Sequence, residues 1–74
     1  MFIKRKIQRK VLEYLEKKGE AMDKELLEVL SKEFNVSYNE LLNILMSLEI
    51  EGFIRVRSVK ESSFIIQKTE QKKQ

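Results

Sequence analysis

The sequence contains no cysteine and no histidine, and only two of its 74 residues are glycine. Without cysteine the chain can form neither a disulfide nor a thiolate zinc site, so a reducing compartment is permitted. Without histidine it lacks the commonest metal ligand and the usual general base. The glycines stand far apart, at positions 19 and 52, so a glycine-rich phosphate loop is also excluded. These absences predict a protein that is not an enzyme and binds neither metal nor cofactor.

Long apolar segments are missing as well. No run of residues approaches the roughly 20 that a membrane-spanning helix requires. The opening "MFIKRKIQRK" carries charge where a signal peptide would have an apolar segment. We therefore expect one small cytoplasmic domain over residues 1–69, with no membrane partner. The flexible tail expected at 70–74 has no apolar anchor.

Positive charge is scarce in the middle of the chain. Residues 1–19 hold seven bases and two acids, a net charge of +5. Residues 20–51 hold two bases and eight acids, a net charge of −6. Residues 52–74 hold six bases and two acids, a net charge of +4, so the three parts together give +3. This distribution indicates two basic segments flanking an acidic centre.

Apolar residues recur at helical spacing over three segments, which predicts helices at residues 3–18, 24–34 and 38–51. Gly19 and Gly52 provide the left-handed residue that commonly ends a helix, after the first and third segments. Most side chains of the acidic centre therefore lie on two helices joined by a short connection.

Two residues before the second and third segments predict where those helices begin. Asp23 is expected to be the N-cap of the second helix. Ser37 is expected to cap the third, and Glu40 completes a Ser-x-x-Glu capping box by accepting from the Ser37 amide. The connection between these helices is then only a few residues long.

After Gly52 the pattern changes from helical periodicity to alternation. "FIRVRSV" and "FIIQKT" predict a hairpin over residues 53–58 and 63–69, joined by the polar turn "KESS". Met22, just before the second helix, is a candidate for a short third strand. The predicted core includes Leu15, Leu27, Leu30, Leu41, Leu45, Leu48, Ile54 and Ile66.

Three helices followed by a hairpin predict an α+β fold, and one stretch of this order resembles a known family. "VSYNELLNILMSLEIEGFIRV" is similar to the third helix and first wing strand of winged helix-turn-helix domains common in archaeal transcription regulators. The resemblance covers roughly residues 3–69. It implies a three-helix domain with a C-terminal β-hairpin wing, acting as a DNA-binding transcription regulator. The positions that carry it are Leu48, Glu49, Gly52, Phe53 and Ile54.

A DNA-binding function makes the third helix the candidate reading element, although no Lys or Arg lies between Ser37 and Gly52. Asparagine pairs with adenine in the major groove, while tyrosine and serine hydroxyls contact phosphates or bases. Attraction to double-stranded DNA would then come from the first helix and the hairpin. The predicted contact residues are Ser37, Tyr38, Asn39, Asn43, Arg55, Arg57, Lys60, Lys68, Lys4 and Arg5.

The alternative interpretation is a winged-helix subunit that binds another protein within a replication or transcription assembly. Met46 and Ile50 lie about 100° or more from the apolar face of the third helix. We expect the hairpin or the first helix to cover them, and an exposed position would instead make them a partner surface. A homodimer would have to use the first helix or the tail.

Overall fold

The computed structural model describes residues 2–60 and 63–69, and it confirms the α+β class. Three helices pack with a three-stranded antiparallel sheet. The predicted tail at 70–74, and Glu61 and Ser62 of the predicted turn, lie outside the described residues. In chain order the elements are α1 (Phe2–Lys18), β1 (Glu20–Met22), α2 (Asp23–Ser31), α3 (Tyr38–Ile50), β2 (Ile54–Lys60) and β3 (Ser63–Lys68).

Both predicted glycine stops are confirmed. Gly19 has φ of 91° and Gly52 has φ of 87°, values that side chains with a Cβ rarely adopt. The Gly19 amide donates to the carbonyl of Leu15 at 2.7 Å. Beyond Gly52, the Phe53 amide donates to the carbonyl of Leu48 at 2.9 Å, which fixes the direction in which β2 leaves α3.

The predicted limits of α2 are wrong at both ends. Met22 has the extended N-cap backbone, with φ −86° and ψ 158°, and Asp23 is already the first helical residue. The strand β1 runs directly into the helix, so no separate capping residue stands between them. At the other end α2 stops at Ser31, and the amide of Phe34 still donates to the carbonyl of Leu30 at 2.8 Å in a turn.

The predicted cap of α3 is confirmed in both directions. The Ser37 hydroxyl accepts from the Glu40 amide at 3.2 Å, and the Glu40 carboxylate accepts from the Ser37 amide at 3.0 Å. This reciprocal pair satisfies two backbone donors at the start of the helix. It also holds the carboxylate of Glu40 close to the first turn, where the helix dipole favours negative charge.

The sheet has the strand order β1-β3-β2, and the short strand at Met22 is confirmed as part of β1. Ala21 pairs with Ile66, which in turn pairs with Val56 across the sheet. Because side chains alternate along a strand, these three point to the core, and Arg55 and Arg57 point to the other face. The strands β1 and β2 form the two edges of the sheet.

Seven of the eight predicted core residues are buried, and Leu27 is not. Leu26 is fully buried, while Leu27 is half-buried and packs against the margin of the core. The α2 face turned towards the rest of the domain is centred on Leu26 and Leu30, four residues apart. The complete buried apolar set is Ile7, Val11, Leu15, Ala21, Leu26, Leu30, Leu41, Ile44, Leu45, Leu48, Ile54 and Ile66.

Candidate nucleic-acid interface

The side of α3 opposite its buried face carries four exposed residues in a row. Buried side chains of α3 are Leu41, Ile44, Leu45 and Leu48, which share one face of the helix. At about 100° per residue, positions 39, 43, 46 and 50 fall on the opposite side. We call this row the α3 stripe; it consists of Asn39, Asn43, Met46 and Ile50, all exposed.

The expectation that other elements cover Met46 and Ile50 is wrong. Met46 is 55% exposed and Ile50 is 78% exposed. The hairpin follows α3 after Gly52, and β2 and α1 both contact α3, yet neither covers these two side chains. The stripe therefore has an amide half near the N-terminus of α3 and an apolar half near its C-terminus.

The other two predicted contact residues on α3 have partners within the fold. The backbone and hydroxyl groups of Ser37 form the capping box, so this side chain is already engaged. Tyr38 is half-buried, and its hydroxyl donates to the carboxylate of Asp23. Of the four contact residues predicted at α3, Asn39 and Asn43 are therefore the two whose side chains face outward.

Asp23 is a buried carboxylate that the sequence analysis assigned only a capping role. Its side chain is fully buried and accepts from the Lys24 amide at 2.9 Å. It also accepts from the Tyr38 hydroxyl and, at a longer 3.5 Å, from the Phe64 amide. A buried charge is tolerated when such donors surround it. Asp23 consequently joins the first residues of α2 and α3 to β3, and the hydrogen bond raises the pKa of Tyr38 above its ordinary value.

A cation from α1 lies beside the amide half of the stripe. Lys4 and Asn43 line one groove of about 550 Å³, between the start of α1, the α2–α3 turn and α3. Two carboxylates line it too, but each has a partner. Glu33 pairs with Lys10 at 3.0 Å, and Glu40 accepts the capping hydrogen bond from Ser37. Although α3 has no basic residue of its own, the fold places one next to it.

Three other cations of α1 line a second groove. Arg5 does not line the Lys4 groove; it lines a groove of about 440 Å³ that reaches the C-terminal end of α3. Lys6 and Arg9 share this groove with Leu12, Leu48 and Phe53. Lys4 and Arg5, both predicted to contact DNA, therefore line different grooves. The sequence did not predict this division, because composition alone does not show which neighbouring element each basic residue of α1 faces.

The hairpin cations are exposed, and the strand register separates them. Arg55 pairs with Gln67 and Arg57 with Ile65, so both arginines stand on the outer face of the sheet. Lys60 is opposite Ser63, beyond an irregularity in the ladder. Lys68 is opposite Ile54, on the alternate face, yet it lines a polar depression together with Arg55 at the base of the hairpin.

A further titratable cluster joins α1 to α2. The Tyr14 hydroxyl donates to the carboxylate of Glu25, whose oxygen also lies 3.3 Å from the Lys18 ammonium. The hydrogen bond lowers the pKa of Glu25 and raises the pKa of Tyr14, and Glu25 raises the pKa of Lys18. This cluster lies on neither groove and serves to hold the two helices together.

Within residues 2–60 and 63–69, no three acidic side chains gather as a metal site would require. Over the same ranges, no helix combines the length and hydropathy needed to cross a membrane. Comparison with protein-family models, curated proteins and solved structures finds no match for this chain.

Proposed function

We propose that this chain is a winged helix-turn-helix DNA-binding protein and acts as a transcription regulator, with α3 entering the major groove. The observation that carries the proposal is that Asn43, on the outward stripe of α3, and Lys4 line the same groove. Asparagine reads the adenine edge through one donor and one acceptor, and a nearby lysine supplies attraction to phosphate. Asn39, one turn earlier on the same stripe, is the second reading residue.

The order of elements supports the same proposal. A short strand between α1 and α2, a tight connection from α2 to α3 and a C-terminal hairpin form the layout expected of a winged helix. In such a domain the wing lies beside the reading helix and contacts the DNA backbone. Arg55 and Arg57 are exposed on the outer face of this hairpin and are assigned that role. Lys60 near the turn and Lys68 at the base add further positive charge.

A second function has its own observation in favour. The apolar half of the α3 stripe is exposed, and a large apolar side chain such as Ile50, at 78% exposed, commonly marks a contact surface when it has apolar neighbours. On this alternative the domain is a protein-interaction subunit, and Met46 and Ile50 are buried by the partner. The two functions use different halves of one stripe.

Binding to duplex DNA, measured by fluorescence anisotropy over a salt series, tests the proposal. We expect Asn39→Ala/Asn43→Ala to lose about 1–3 kcal/mol on a preferred site, selected from a random duplex library, and much less on random duplex. Met46→Ser/Ile50→Ser is the matched control, because it changes the other half of the same stripe and should leave site preference unchanged.

Two results would overturn the DNA assignment. The first is a folded Asn39→Ala/Asn43→Ala variant that keeps wild-type affinity and preference. The second is the absence of any salt-dependent DNA binding by the unmodified chain, since phosphate neutralisation necessarily makes affinity depend on salt. Either result would leave the protein-interaction function as the better explanation of the stripe.

A further inference from the structure

The groove at the C-terminal end of α3 combines an apolar floor with a cationic wall. Leu48 is 2% exposed and lies at the bottom of the groove, with the half-buried Leu12 and the 38% exposed Phe53 beside it. Arg5 and Arg9 line the α1 side. At about 440 Å³, the groove accommodates a few side chains of a partner.

The cations of this wall are available to a ligand. Among the described residues, the ion pairs are Lys10 with Glu33 and Lys18 with Glu25. Arg5, Lys6 and Arg9 take part in neither pair, and all three are exposed. Arginine is enriched at protein interfaces because its planar guanidinium binds carboxylates through two hydrogen bonds and packs on apolar surface.

The groove side of α1 extends over about two helical turns. Positions 5, 9 and 12 of α1 follow the i, i+4, i+7 spacing of residues on one face of a helix. At 1.5 Å per residue they span roughly 10 Å, which matches about two turns of a helix lying alongside. This face is separate from the core face of α1, formed by Ile7, Val11 and Leu15.

We propose that this groove binds an acidic amphipathic helix of a partner protein. Apolar side chains of that helix cover Leu12, Leu48 and Phe53, while its carboxylates pair with Lys6 and Arg9. The apolar floor selects this occupant over a nucleic acid, because a phosphate backbone gains nothing from covering Leu12, Leu48 and Phe53. The site would recruit a partner to the face of the domain that holds Phe53.

The probes are two synthetic peptides of roughly 14 residues and a duplex DNA. The first peptide has leucines at i, i+3, i+4 and i+7 with glutamates at most other positions, and the second has the same composition in scrambled order. Each is titrated into the ¹⁵N-labelled full chain and followed by amide chemical shifts. We expect only the ordered peptide to shift the amides of Leu12, Leu48 and Phe53 together.

Variants then assign the binding to the groove. Arg9→Glu reverses one exposed charge and is expected to weaken the ordered peptide by about tenfold or more. Lys17→Glu is the matched control. It also reverses a positive charge on α1, but outside the groove, and should reduce the affinity for the ordered peptide much less. Phe53→Ser should also weaken binding, and circular dichroism verifies that each variant is folded.

Arg9 and Phe53 lie outside the proposed DNA contacts, so failure here is distinguishable from failure of DNA binding. Equal binding of the ordered and scrambled peptides would reduce the effect to net charge and overturn the proposal. Groove shifts produced by DNA and not by the ordered peptide would assign the groove to nucleic acid instead. A folded Arg9→Glu variant that keeps the wild-type affinity for the ordered peptide would also contradict the proposal.

Discussion

At the scale of single residues, Asp23 stands apart as the buried charged side chain among the described residues. It is buried, and its carboxylate is held by donors that are 1, 15 and 41 residues away in sequence. Only the first of these contacts is local. A capping role could be inferred from the sequence around position 23, but the Tyr38 and Phe64 contacts exist only after α3 and β3 have packed against α2.

Tyr38→Phe tests the importance of this network. Removing the hydroxyl takes one donor from the buried Asp23 carboxylate, so we expect the free energy of unfolding to fall by about 1–3 kcal/mol. Urea unfolding at neutral pH measures the change. The DNA affinity of the folded variant should be unchanged, because the hydroxyl is engaged inside the fold. Ser31→Ala, at an exposed position on the last turn of α2, is the control.

The same variant has a pH signature. The pKa of Tyr38 is raised in the folded protein, so its contribution to stability is fully present below the ordinary value of 10.0. That contribution is lost as the pH rises through the higher folded value. The stability difference between wild type and Tyr38→Phe should therefore narrow above about pH 10. Tyr14 is present in both proteins and does not affect the comparison; a difference that is constant with pH would contradict the assignment.

At the scale of elements, the sequence predicted correctly those helix ends that depend on interactions between residues close together in the chain. The capping box at Ser37 and the glycine stops depend on neighbours within a few residues, and all are confirmed. The incorrect predictions, such as the burial of Leu27, concern features that depend on packing between elements distant in the sequence. Whether Leu26 or Leu27 faces the core depends on how α2 is rotated about its axis against α1 and the sheet. Because both positions are leucine, the sequence does not distinguish between these two rotations.

A pair of neighbouring substitutions tests the rotation of α2. Leu26→Ala should cost about 2–5 kcal/mol, because it removes a fully buried side chain and leaves a cavity. Leu27→Ala makes the same chemical change at a half-buried position and should cost clearly less. Both are measured by urea unfolding. Equal costs, or a larger cost at Leu27, would mean that α2 is rotated differently in solution.

At the scale of the whole molecule, the fold redistributes the charge that the sequence presents in blocks. The acidic centre contributes α2 and α3, yet α1 brings Lys4 to α3 and the hairpin presents two arginines on its own outer face. The sequence predicted where positive charge is scarce. The two grooves that separate the α1 cations depend on tertiary packing, so they could not be inferred from the sequence.

The hairpin arginines Arg55 and Arg57 provide the corresponding prediction. Arg55→Ala or Arg57→Ala should weaken binding to all duplexes by similar factors. Each should also make the plot of log affinity against log salt concentration shallower by about one unit or less. Lys4→Ala and Arg5→Ala should act in the same way wherever they reach a phosphate. Lys17→Ala, at the far end of α1, is the control, and an unchanged slope in all four variants would remove these residues from the interface.

The edge position of β2 limits how the sheet could grow. In the described residues β1 has only three residues, so β2 offers the longer free edge, and its ladder is regular over residues 54–58 before the irregularity near Lys60. Two copies pairing antiparallel about Val56 would bring Arg55 of one opposite Arg57 of the other, which is unfavourable. Self-pairing in this register is therefore disfavoured, while a fourth strand with acidic residues at alternate positions would find matching charges.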